Sequence, residues 1–259
     1  MTMPFEKLKG LGIGCEFSRA PYVEKRPTLV MIHGAGGSAQ IWRSQVHLLK
    51  DSLNTLALDL PGHGKTDGPG KARIDEYARW VEEVLRTLSH EPVFLMGHSL
   101  GGAIVQETAL LFPELLKGII LVATGARLQV APVFLEGLLN RFEDTVDTIM
   151  KHAYAPGADQ SMVREGGKLM KAAGSIVVHG DFLACDRFDR RKDIGNIDVP
   201  CLIICGDQDK LSPPALSKSL NQSIKNSELR ILPSAGHMVM IERYKAFNQC
   251  VRDFIGKVN

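Results

Sequence analysis

Short apolar runs rich in β-branched residues recur along the chain, and amphipathic stretches with helical spacing separate most of them. None of these runs alternates apolar with polar residues, which is typical of strands that are covered on both faces. Strands and helices that follow one another in this way predict a mainly parallel α/β sheet with helices on both faces. The apolar runs are "PTLVMIHG" (27–34), "NTLALDL" (54–60), "PVFLMGH" (92–98), "GIILVAT" (118–124), "PCLIICGD" (200–207) and "SELRILP" (227–233).

The amphipathic stretches predict helices, and one break in the alternation predicts an insertion. The predicted helices cover 38–50, 73–88, 100–112, 213–224 and 240–257. From about Gly125 to Ile194 the sequence has only helix-like pieces and no strand followed by a crossover. We therefore predict a core domain made of residues 1–124 and 195–259, interrupted by a helical cap at 125–194. The opening stretch "FEKLKGLGIGCEFS" (5–18) is interpreted as an antiparallel hairpin at the edge of the sheet.

The composition argues against several classes of protein. The 259 residues carry a formal net charge of +2 without a dense block of lysine and arginine, so nucleic acid is not an expected partner. The N-terminus lacks the apolar stretch of a signal peptide, and no run approaches the ~18 apolar residues of a membrane span. Five scattered cysteines lie mostly in apolar segments, where we expect small core residues in a reducing cytoplasm.

A serine stands between glycines where a predicted strand runs into a predicted helix. Residues 97–101, Gly-His-Ser-Leu-Gly, match the pattern G-x-S-x-G. A serine on such a sharp strand-to-helix turn has its hydroxyl exposed at the carboxyl edge of the sheet, and the glycines avoid collisions of a Cβ with neighbouring elements. The helix N-terminus behind Ser99 also favours developing negative charge. The alternative is a serine that only caps the helix, because short motifs also occur by chance.

Two further polar groups follow later strands, as a nucleophilic serine requires. Such a serine needs a base, and the base needs an acid that holds it in the right tautomer. The segment "CGDQDKLSP" (205–213) supplies two candidate carboxylates, and "PSAGHMVMIE" (233–242) supplies His237. Because parallel strands end at the same edge of a sheet, we expect Ser99, an aspartate and His237 to meet there.

With these motifs, the sequence resembles the α/β-hydrolase superfamily across essentially the whole chain. In that family the acid follows a G-x-x-D pattern, which here selects Asp209 and leaves Asp207 as the alternative. The family's "AGH" histidine corresponds to His237. The resemblance thus implies a catalytic triad of Ser99, Asp209 and His237 on an α/β-hydrolase sheet that carries a helical cap.

The resemblance also implies which groups bind the oxyanion. The segment "HGAGGS" (33–38) is similar to the family's oxyanion loop. The backbone N–H groups of Ala35 and Leu100 are therefore expected to hold the tetrahedral oxyanion, with Gly36 as the alternative to Ala35. The loss of one such donor typically raises the reaction barrier by about 3 kcal/mol.

A second glycine-rich stretch, "LALDLPGHGKTDGPG" (56–70), contains Gly-Lys-Thr, which is the end of a nucleotide-binding P-loop. The P-loop needs a glycine where Asp59 stands, and "DGPGK" after the threonine cannot begin a helix. The resemblance instead identifies "D-x-P-G-H-G" as a structural turn that braces the site, with Lys65 and Thr66 incidental. It also implies that His63 and His98 are packing or hydrogen-bonding residues.

Two hypotheses from other classes compete with a hydrolase. Residues 34–39 fit the dinucleotide fingerprint G-x-G-x-x-[GA] after a strand, but this interpretation leaves Ser99, Asp209 and His237 without a role. The second hypothesis is a non-catalytic ligand receptor on the same fold, because a fold does not determine function. Such receptors often lack one triad residue, whereas this chain keeps all three.

The predicted function is hydrolysis of small to medium carboxylic esters by a serine hydrolase through an acyl-enzyme intermediate. Serine at this turn argues against haloalkane dehalogenases and epoxide hydrolases, which resemble this fold but use an aspartate there. Thioesterase, lactonase and carbon–carbon bond hydrolase remain alternatives with the same triad. No metal or organic cofactor is implied, and the expected partner is a small-molecule ester or related acyl substrate. The protein is expected to be a monomer or a homodimer.

The predicted cap offers side chains for substrate binding, although each of them also suits the core or the surface of the cap itself. The cationic candidates for a substrate carboxylate or phosphate are Arg127, Arg141, Arg164 and Lys168. The apolar candidates for an acyl pocket are Phe134, Leu138, Leu139, Phe142, Met150, Met162 and Met170.

Overall fold

A computed structural model describes residues 4–18, 22–88 and 91–258 of the chain. Its strands are β1 (Cys15–Phe17), β2 (Thr28–Ile32), β3 (Asn54–Leu58), β4 (Val93–His98), β5 (Leu116–Val122), β6 (Cys201–Gly206) and β7 (Ser227–Leu232). They form one sheet in the order β1-β3-β2-β4-β5-β6-β7. Neighbouring strands from β3 through to β7 are parallel, and β1 is antiparallel to β3.

Side chains of the central strands point alternately to the two faces of the sheet, as a pleated strand requires. In β2, Val30 and Ile32 belong to one apolar core, whereas Leu29 and Met31 belong to the other. All four are completely buried. The prediction of a mainly parallel sheet that is covered on both faces is confirmed.

Helices cover both faces of this sheet. The helices of the described residues are α1 (Pro4–Gly10), α2 (Arg43–Leu48), α3 (Ile74–Leu88), α4 (Leu100–Leu111), α5 (Pro132–Asn140), α6 (Phe142–Ala153), α7 (Gln160–Ala173), α8 (Ser175–Arg187), α9 (Pro214–Ser223), α10 (Val239–Glu242) and α11 (Tyr244–Val258). Helices α3 and α4 contribute Tyr77 and Ile104 to the first core, and α2 and α11 contribute Val46 and Phe247 to the second. In α3 the buried residues recur at helical spacing, so the side of the helix that faces water is polar.

The N-terminal hairpin predicted for 5–18 is wrong. Residues 4–10 form α1 instead, and β1 is a single short strand that pairs with β3. Phe5 and Leu8 are three residues apart, so one turn of helix places both side chains on the same face, where they are buried in the first core. The position of this segment at the edge of the sheet is confirmed.

Four helices, α5 to α8, lie between β5 and β6, and we call them the cap helices. A β-bridge between Arg127 and Asp189 joins the segments that enter and leave them. In α6, Val146, Ile149 and Met150 are buried at helical spacing. The helical character of this region agrees with the expected insertion, while the boundaries at 125 and 194 stay a prediction.

No helix among the described residues is long and apolar enough to cross a lipid bilayer. The five cysteines are all free thiols. Cys185, Cys201 and Cys205 are buried in the interior, as expected of small core residues.

Candidate active site

Ser99 occupies a strained turn at the carboxyl end of β4. It lies between the last residue of β4 and the first residue of α4, and its backbone has φ 54° and ψ −115°. Residues other than glycine rarely adopt a positive φ, and such strain persists only where the surroundings enforce it. Here a Cβ at Gly97 would collide with the carbonyl oxygen of Gly101, so strand and helix approach too closely for any side chain. This is the geometry that exposes a serine hydroxyl at the edge of a sheet.

His237 and Asp209 come together from the loops that follow β7 and β6. The His237 Nδ1–H donates to Asp209 Oδ2 at 2.9 Å. The other carboxylate oxygen, Oδ1, accepts the backbone N–H groups of Leu211 and Ser212, both at 2.9 Å. Burial alone would raise the pKa of Asp209. The positive charge of His237 and hydrogen bonds from His237 and Ser212 outweigh burial and lower the pKa. Asp209 is therefore held as a carboxylate that orients the imidazole.

The alternative acid, Asp207, faces elsewhere. It is exposed, and its Oδ1 accepts the backbone N–H of Ala235 at 3.3 Å. Within the described part of the chain, the carboxylate that contacts the His237 ring is that of Asp209.

Ser99 and His237 line the same cavity, which has a volume of about 620 Å³. No hydrogen bond joins the Ser99 hydroxyl to His237 within the described residues. Apolar side chains from the cap helices and from the loops at this edge form most of the wall, and they include Leu128, Val130, Phe134, Ile149, Met150, Leu169, Met170, Phe182, Leu216 and Met238. A cavity of this size and polarity suits a small organic ligand.

The structure separates the cap candidates into two groups. Phe134, Met150, Met170 and Arg127 line the cavity. Leu138 is buried away from the cavity, and Leu139 and Met162 are exposed large apolar residues. Phe142, Arg141, Arg164 and Lys168 are likewise outside the lining.

The loop after β2 carries the N–H groups expected to bind an oxyanion. Ala35 lines the cavity next to Ser99. The N–H of Gly36 is already engaged, because it donates to Asp181 Oδ2 at 2.8 Å. This bond removes Gly36 as a donor to a bound oxyanion. Leu100 opens α4, and the first N–H groups of a helix have no partner within the helix.

Asp181 of α8 is a residue that the sequence analysis did not identify. Its Oδ2 accepts both the Gly36 N–H and His63 Nε2–H, each at 2.8 Å, and its Oδ1 accepts the Tyr77 hydroxyl at 2.7 Å. The side chains of His63 and Asp181 are both completely buried. His63 Nδ1 also donates, to the Pro61 carbonyl at 3.0 Å.

Two acceptors around one imidazole favour its doubly protonated form. Burial lowers the pKa of His63, but the hydrogen bond and charge of Asp181 outweigh it and raise the pKa above its ordinary value. His63 and Asp181 thus form a buried ion pair. Asp181 therefore bonds a cap helix directly to two segments, the loop that carries Ala35 and the turn that carries His63.

The His237 loop is bonded to the cap helices as well. The Met238 N–H donates to the Ala153 carbonyl at 3.1 Å. The Glu242 carboxylate accepts the N–H of Gly236 and the N–H of Ala155, both at 2.9 Å. Ala153 at the end of α6 therefore holds the backbone after His237, and Glu242 of α10 holds the backbone before it.

The turn at Asp59 is held by a network of backbone hydrogen bonds. The Asp59 carboxylate accepts the N–H of Ala39 at 2.7 Å and the N–H of Lys65 at 2.9 Å. The expectation that Thr66 is incidental is wrong, because its hydroxyl donates to the Asp59 carbonyl at 2.6 Å and accepts the Gly14 N–H at 2.9 Å. Gly64 has φ 53°, and a Cβ there would collide with the Asp59 carboxylate. This turn braces the loop that follows β2.

His98 packs directly under the His237 ring. The two ring centroids are 4.6 Å apart, and His98 Nε2–H donates to the His237 carbonyl at 3.0 Å. Its Nδ1 is buried without a partner among the described residues. Burial, with a smaller contribution from His237, lowers the pKa of His98 to about 3. His98 is therefore a neutral support for the His237 loop, in agreement with a packing role.

We expect this buried neutral imidazole to make the fold sensitive to acid. Between pH 6.5 and about 3 the unfolded chain binds a proton at His98 that the folded protein does not, so stability falls as the pH falls. The slope for one such group is at most about 1.4 kcal/mol per pH unit. His98→Gln should therefore show a smaller difference in unfolding free energy between pH 7 and pH 4.5 than the wild type, measured by urea denaturation. An equal or larger difference in the variant would contradict this assignment.

Comparisons with known proteins agree with the observed fold. A family model described as "Alpha/beta hydrolase family" matches residues 29–249. An uncharacterized hydrolase of Bacillus subtilis is 29% identical over 89% of this chain and 90% of its own length. A pimeloyl-[acyl-carrier protein] methyl ester esterase of Neisseria meningitidis is 27% identical over 87% of this chain and 92% of its own. The solved structure of a thermophilic esterase is 33% identical, with a TM-score of 0.83 over 95% of this chain and 99% of that one.

Proposed function

Because the chain belongs to the alpha/beta hydrolase family, we propose that it is a serine hydrolase of small to medium carboxylic esters. The observation that carries this proposal is the strained turn that presents Ser99 to the same cavity as a His237 held by Asp209. Esterases among its relatives support the same class of reaction. In this proposal residues 1–124 and 195–259 form the catalytic domain, and 125–194 form a cap that shapes the substrate cavity.

Each triad residue has a defined task in the proposed reaction. Ser99 Oγ attacks the ester carbonyl, and His237 Nε2 accepts its proton. Asp209 holds the Nδ1–H side of the ring, which fixes the tautomer and stabilises the imidazolium that forms. His237 then passes the proton to the leaving alcohol, and an acyl-enzyme remains on Ser99. Water deacylates this intermediate, with His237 again acting as base.

The tetrahedral intermediate needs hydrogen-bond donors for its oxyanion. We assign this task to the backbone N–H groups of Ala35 and Leu100. The alternative donor, Gly36, already donates to Asp181, which supports the choice of Ala35. The N-terminus of α4 adds a favourable electrostatic field at the same place. Each donor contributes on the order of 3 kcal/mol to lowering the barrier.

The test of this function is a series of p-nitrophenyl esters from acetate through butyrate, hexanoate and octanoate to laurate. We expect initial rates to rise and then fall along the series, because the apolar cavity holds a medium acyl chain and has a finite volume. Labelling of Ser99 by a fluorophosphonate probe should accompany turnover. If the protein hydrolyses none of the esters and does not label, ester hydrolysis is refuted. Thioesters, lactones, carbon–carbon substrates and a receptor role would then be tested in turn.

A pair of substitutions tests the identity of the acid. Asp209→Asn is expected to lower kcat roughly 10⁴-fold, because an amide stabilises the wrong tautomer of the imidazole. Asp207→Asn should leave kcat close to the wild-type value, since Asp207 is exposed and does not contact His237. The two variants change the same chemical group two residues apart, so each is the control of the other. A large loss in Asp207→Asn with a small loss in Asp209→Asn would exchange the two assignments.

A further inference from the structure

The wall of the active-site cavity carries three cationic side chains and, among the described residues that line it, no aspartate or glutamate. The cations are Arg127, Arg191 and Lys210. Arg127 precedes the cap helices, Arg191 follows them, and Lys210 stands in the loop between β6 and α9. Most of the remaining wall is apolar. A charge of one sign in an otherwise apolar cavity attracts ligands of the opposite sign, because low-dielectric walls focus the field.

The three cations are carried by neighbouring segments of the cavity wall. Arg127 and Arg191 share one counter-ion, since the Asp189 carboxylate lies 2.6 Å from Arg191 Nη2 and 3.9 Å from Arg127 Nε. Gly125 packs against Leu216, which places the segment of Arg127 beside the start of α9. The Lys210 loop leads directly into that helix. We call Arg127, Arg191 and Lys210 the cationic rim.

The cationic rim keeps a net positive charge. The side-chain hydrogen bond and the positive charge of Arg191 lower the pKa of Asp189 to about 2, so this carboxylate is ionised and neutralises one of the two guanidinium groups. Within the described residues no carboxylate lies within ion-pair distance of the Lys210 ammonium group. The neighbouring Asp209 is buried behind it and committed to His237 and Ser212. One guanidinium and one ammonium therefore remain without a counter-ion.

The side chains of the cationic rim are more exposed to solvent than Ser99, which is partly buried. The side chains of Arg127 and Arg191 are 39% and 59% exposed, and Lys210 is exposed as well. Ser99, in contrast, lies at the sheet edge, where the cavity meets Ala35 and His98. A substrate with its ester at Ser99 and a chain that extends along this cavity can therefore bring its solvent-exposed end to the cationic rim, because Ser99 and the three cations line the same cavity.

We propose that the preferred substrates are esters that carry a carboxylate remote from the scissile bond, and that Lys210 and Arg127 bind this carboxylate. This inference rests on the proposed ester hydrolysis at Ser99 and deepens it by naming the substrate class. The carboxylate belongs to the acyl chain or to the alcohol part of the ester. The cationic rim supplies the same chemistry in either case.

The test compares substrates that differ in charge and hardly in shape. On the acyl side, p-nitrophenyl hydrogen adipate is compared with the p-nitrophenyl ester of adipic acid monoamide. On the alcohol side, 4-(hexanoyloxy)benzoate is compared with its primary amide. We expect kcat/KM to be about 10-fold higher for the anionic member of at least one pair at low salt, and the ratio to fall when salt screens the exposed rim. The pair that shows the preference identifies which part of the substrate faces the rim.

Two substitutions and a matched control connect this preference to the rim. Lys210→Gln and Arg127→Gln, separately and together, should reduce the ratio of anionic to neutral kcat/KM towards one, mainly through KM. Arg191 is left in place because its removal would leave Asp189 without its principal partner. Lys168→Gln removes a cap lysine that pairs with Glu165 outside the cavity, and its ratio should equal that of the wild type.

The outcomes separate this inference from the proposed function. If neutral and anionic esters are cleaved equally well through Ser99, the inference is overturned while ester hydrolysis stands. The same holds if a preference exists but the rim variants do not change it. If no ester of either charge is cleaved and Ser99 does not label, the proposed function fails and the inference fails with it.

Discussion

Ser99→Ala is expected to lower kcat for every ester substrate by roughly 10⁴- to 10⁶-fold, because removal of the nucleophile ends covalent catalysis. Residual turnover comes from binding and from the oxyanion donors, which remain in place. The variant should fold as the wild type does, since the Ser99 hydroxyl makes no hydrogen bond with the described residues and alanine keeps the backbone contacts of the turn. The measurements are single-substrate kinetics and fluorophosphonate labelling, together with circular dichroism of the purified variant.

Ser212 provides the matched control for this prediction. It lines the same cavity, but its hydroxyl donates to Asp209 Oδ2 at 2.7 Å instead of facing a free substrate site. Ser212→Ala should retain labelling at Ser99 and lose activity far less than Ser99→Ala. If labelling disappeared in Ser212→Ala and persisted in Ser99→Ala, the assignment of the nucleophile would be wrong.

Asp181→Asn is expected to destabilise the protein by about 3–5 kcal/mol, the usual cost of removing one partner from a buried ion pair. The substitution leaves the imidazolium of His63 without a negative charge in a site that excludes water. It also places an amide group beside the N–H of Gly36 and the hydroxyl of Tyr77, both of which donate to Asp181. Urea denaturation under reducing conditions measures the change in unfolding free energy.

The pH dependence of the destabilisation by Asp181→Asn tests whether loss of the ion pair causes it. The pKa of His63 is raised in the folded protein, so the pair contributes its full stability below pH 6.5 and loses it as the pH rises through the folded pKa. The destabilisation by Asp181→Asn should therefore be larger at pH 6 than at pH 9. A pH-independent loss would attribute the effect to packing alone.

Two further variants control for nonspecific effects of the substitution. Asp186→Asn changes an exposed carboxylate on the same helix and should cost less than about 1 kcal/mol. His63→Gln combined with Asp181→Asn should destabilise by less than the sum of the single changes, since the double variant has neither charge. Strict additivity of the two single changes would show that His63 and Asp181 do not interact.

The apolar runs in the sequence are sufficient to predict the central strands of the sheet, because each of these strands is buried on both faces. Leu29 to Ile32 form a continuous apolar run for that reason, and a run of this kind is readable without any partner. The candidate site could be predicted for a related reason, since Ser99, Asp209 and His237 each follow the end of a parallel strand. The alternation of strands and helices alone therefore predicts that these residues converge at one edge.

Interactions between distant residues carried no such signal. Asp181 and His63 are 118 positions apart, and no motif around Asp181 indicates that it is the buried partner of a histidine. The N-terminal segment misled the prediction because Phe5 and Leu8 fit a strand or a helix equally well over so short a length. Thr66 follows the residues of the Asp59 turn without a pattern of its own, so its sequence context does not indicate that its hydroxyl donates to the Asp59 carbonyl.

The bond between Asp181 and the loop after β2 limits how this protein can be rebuilt. Cap exchange between relatives is an obvious route to new specificity, and the predicted boundaries at 125 and 194 suggest where the chain would be cut. Such a graft removes the acceptor of Gly36 and the counter-ion of His63. It also replaces the backbone of Ala153 and Ala155, which bonds to Met238 and to Glu242. A donor module is compatible only if it restores a carboxylate at the position of Asp181. The cap helices are therefore not an independent unit, because hydrogen bonds join them to the loops of the sheet that carry Ala35 and His237.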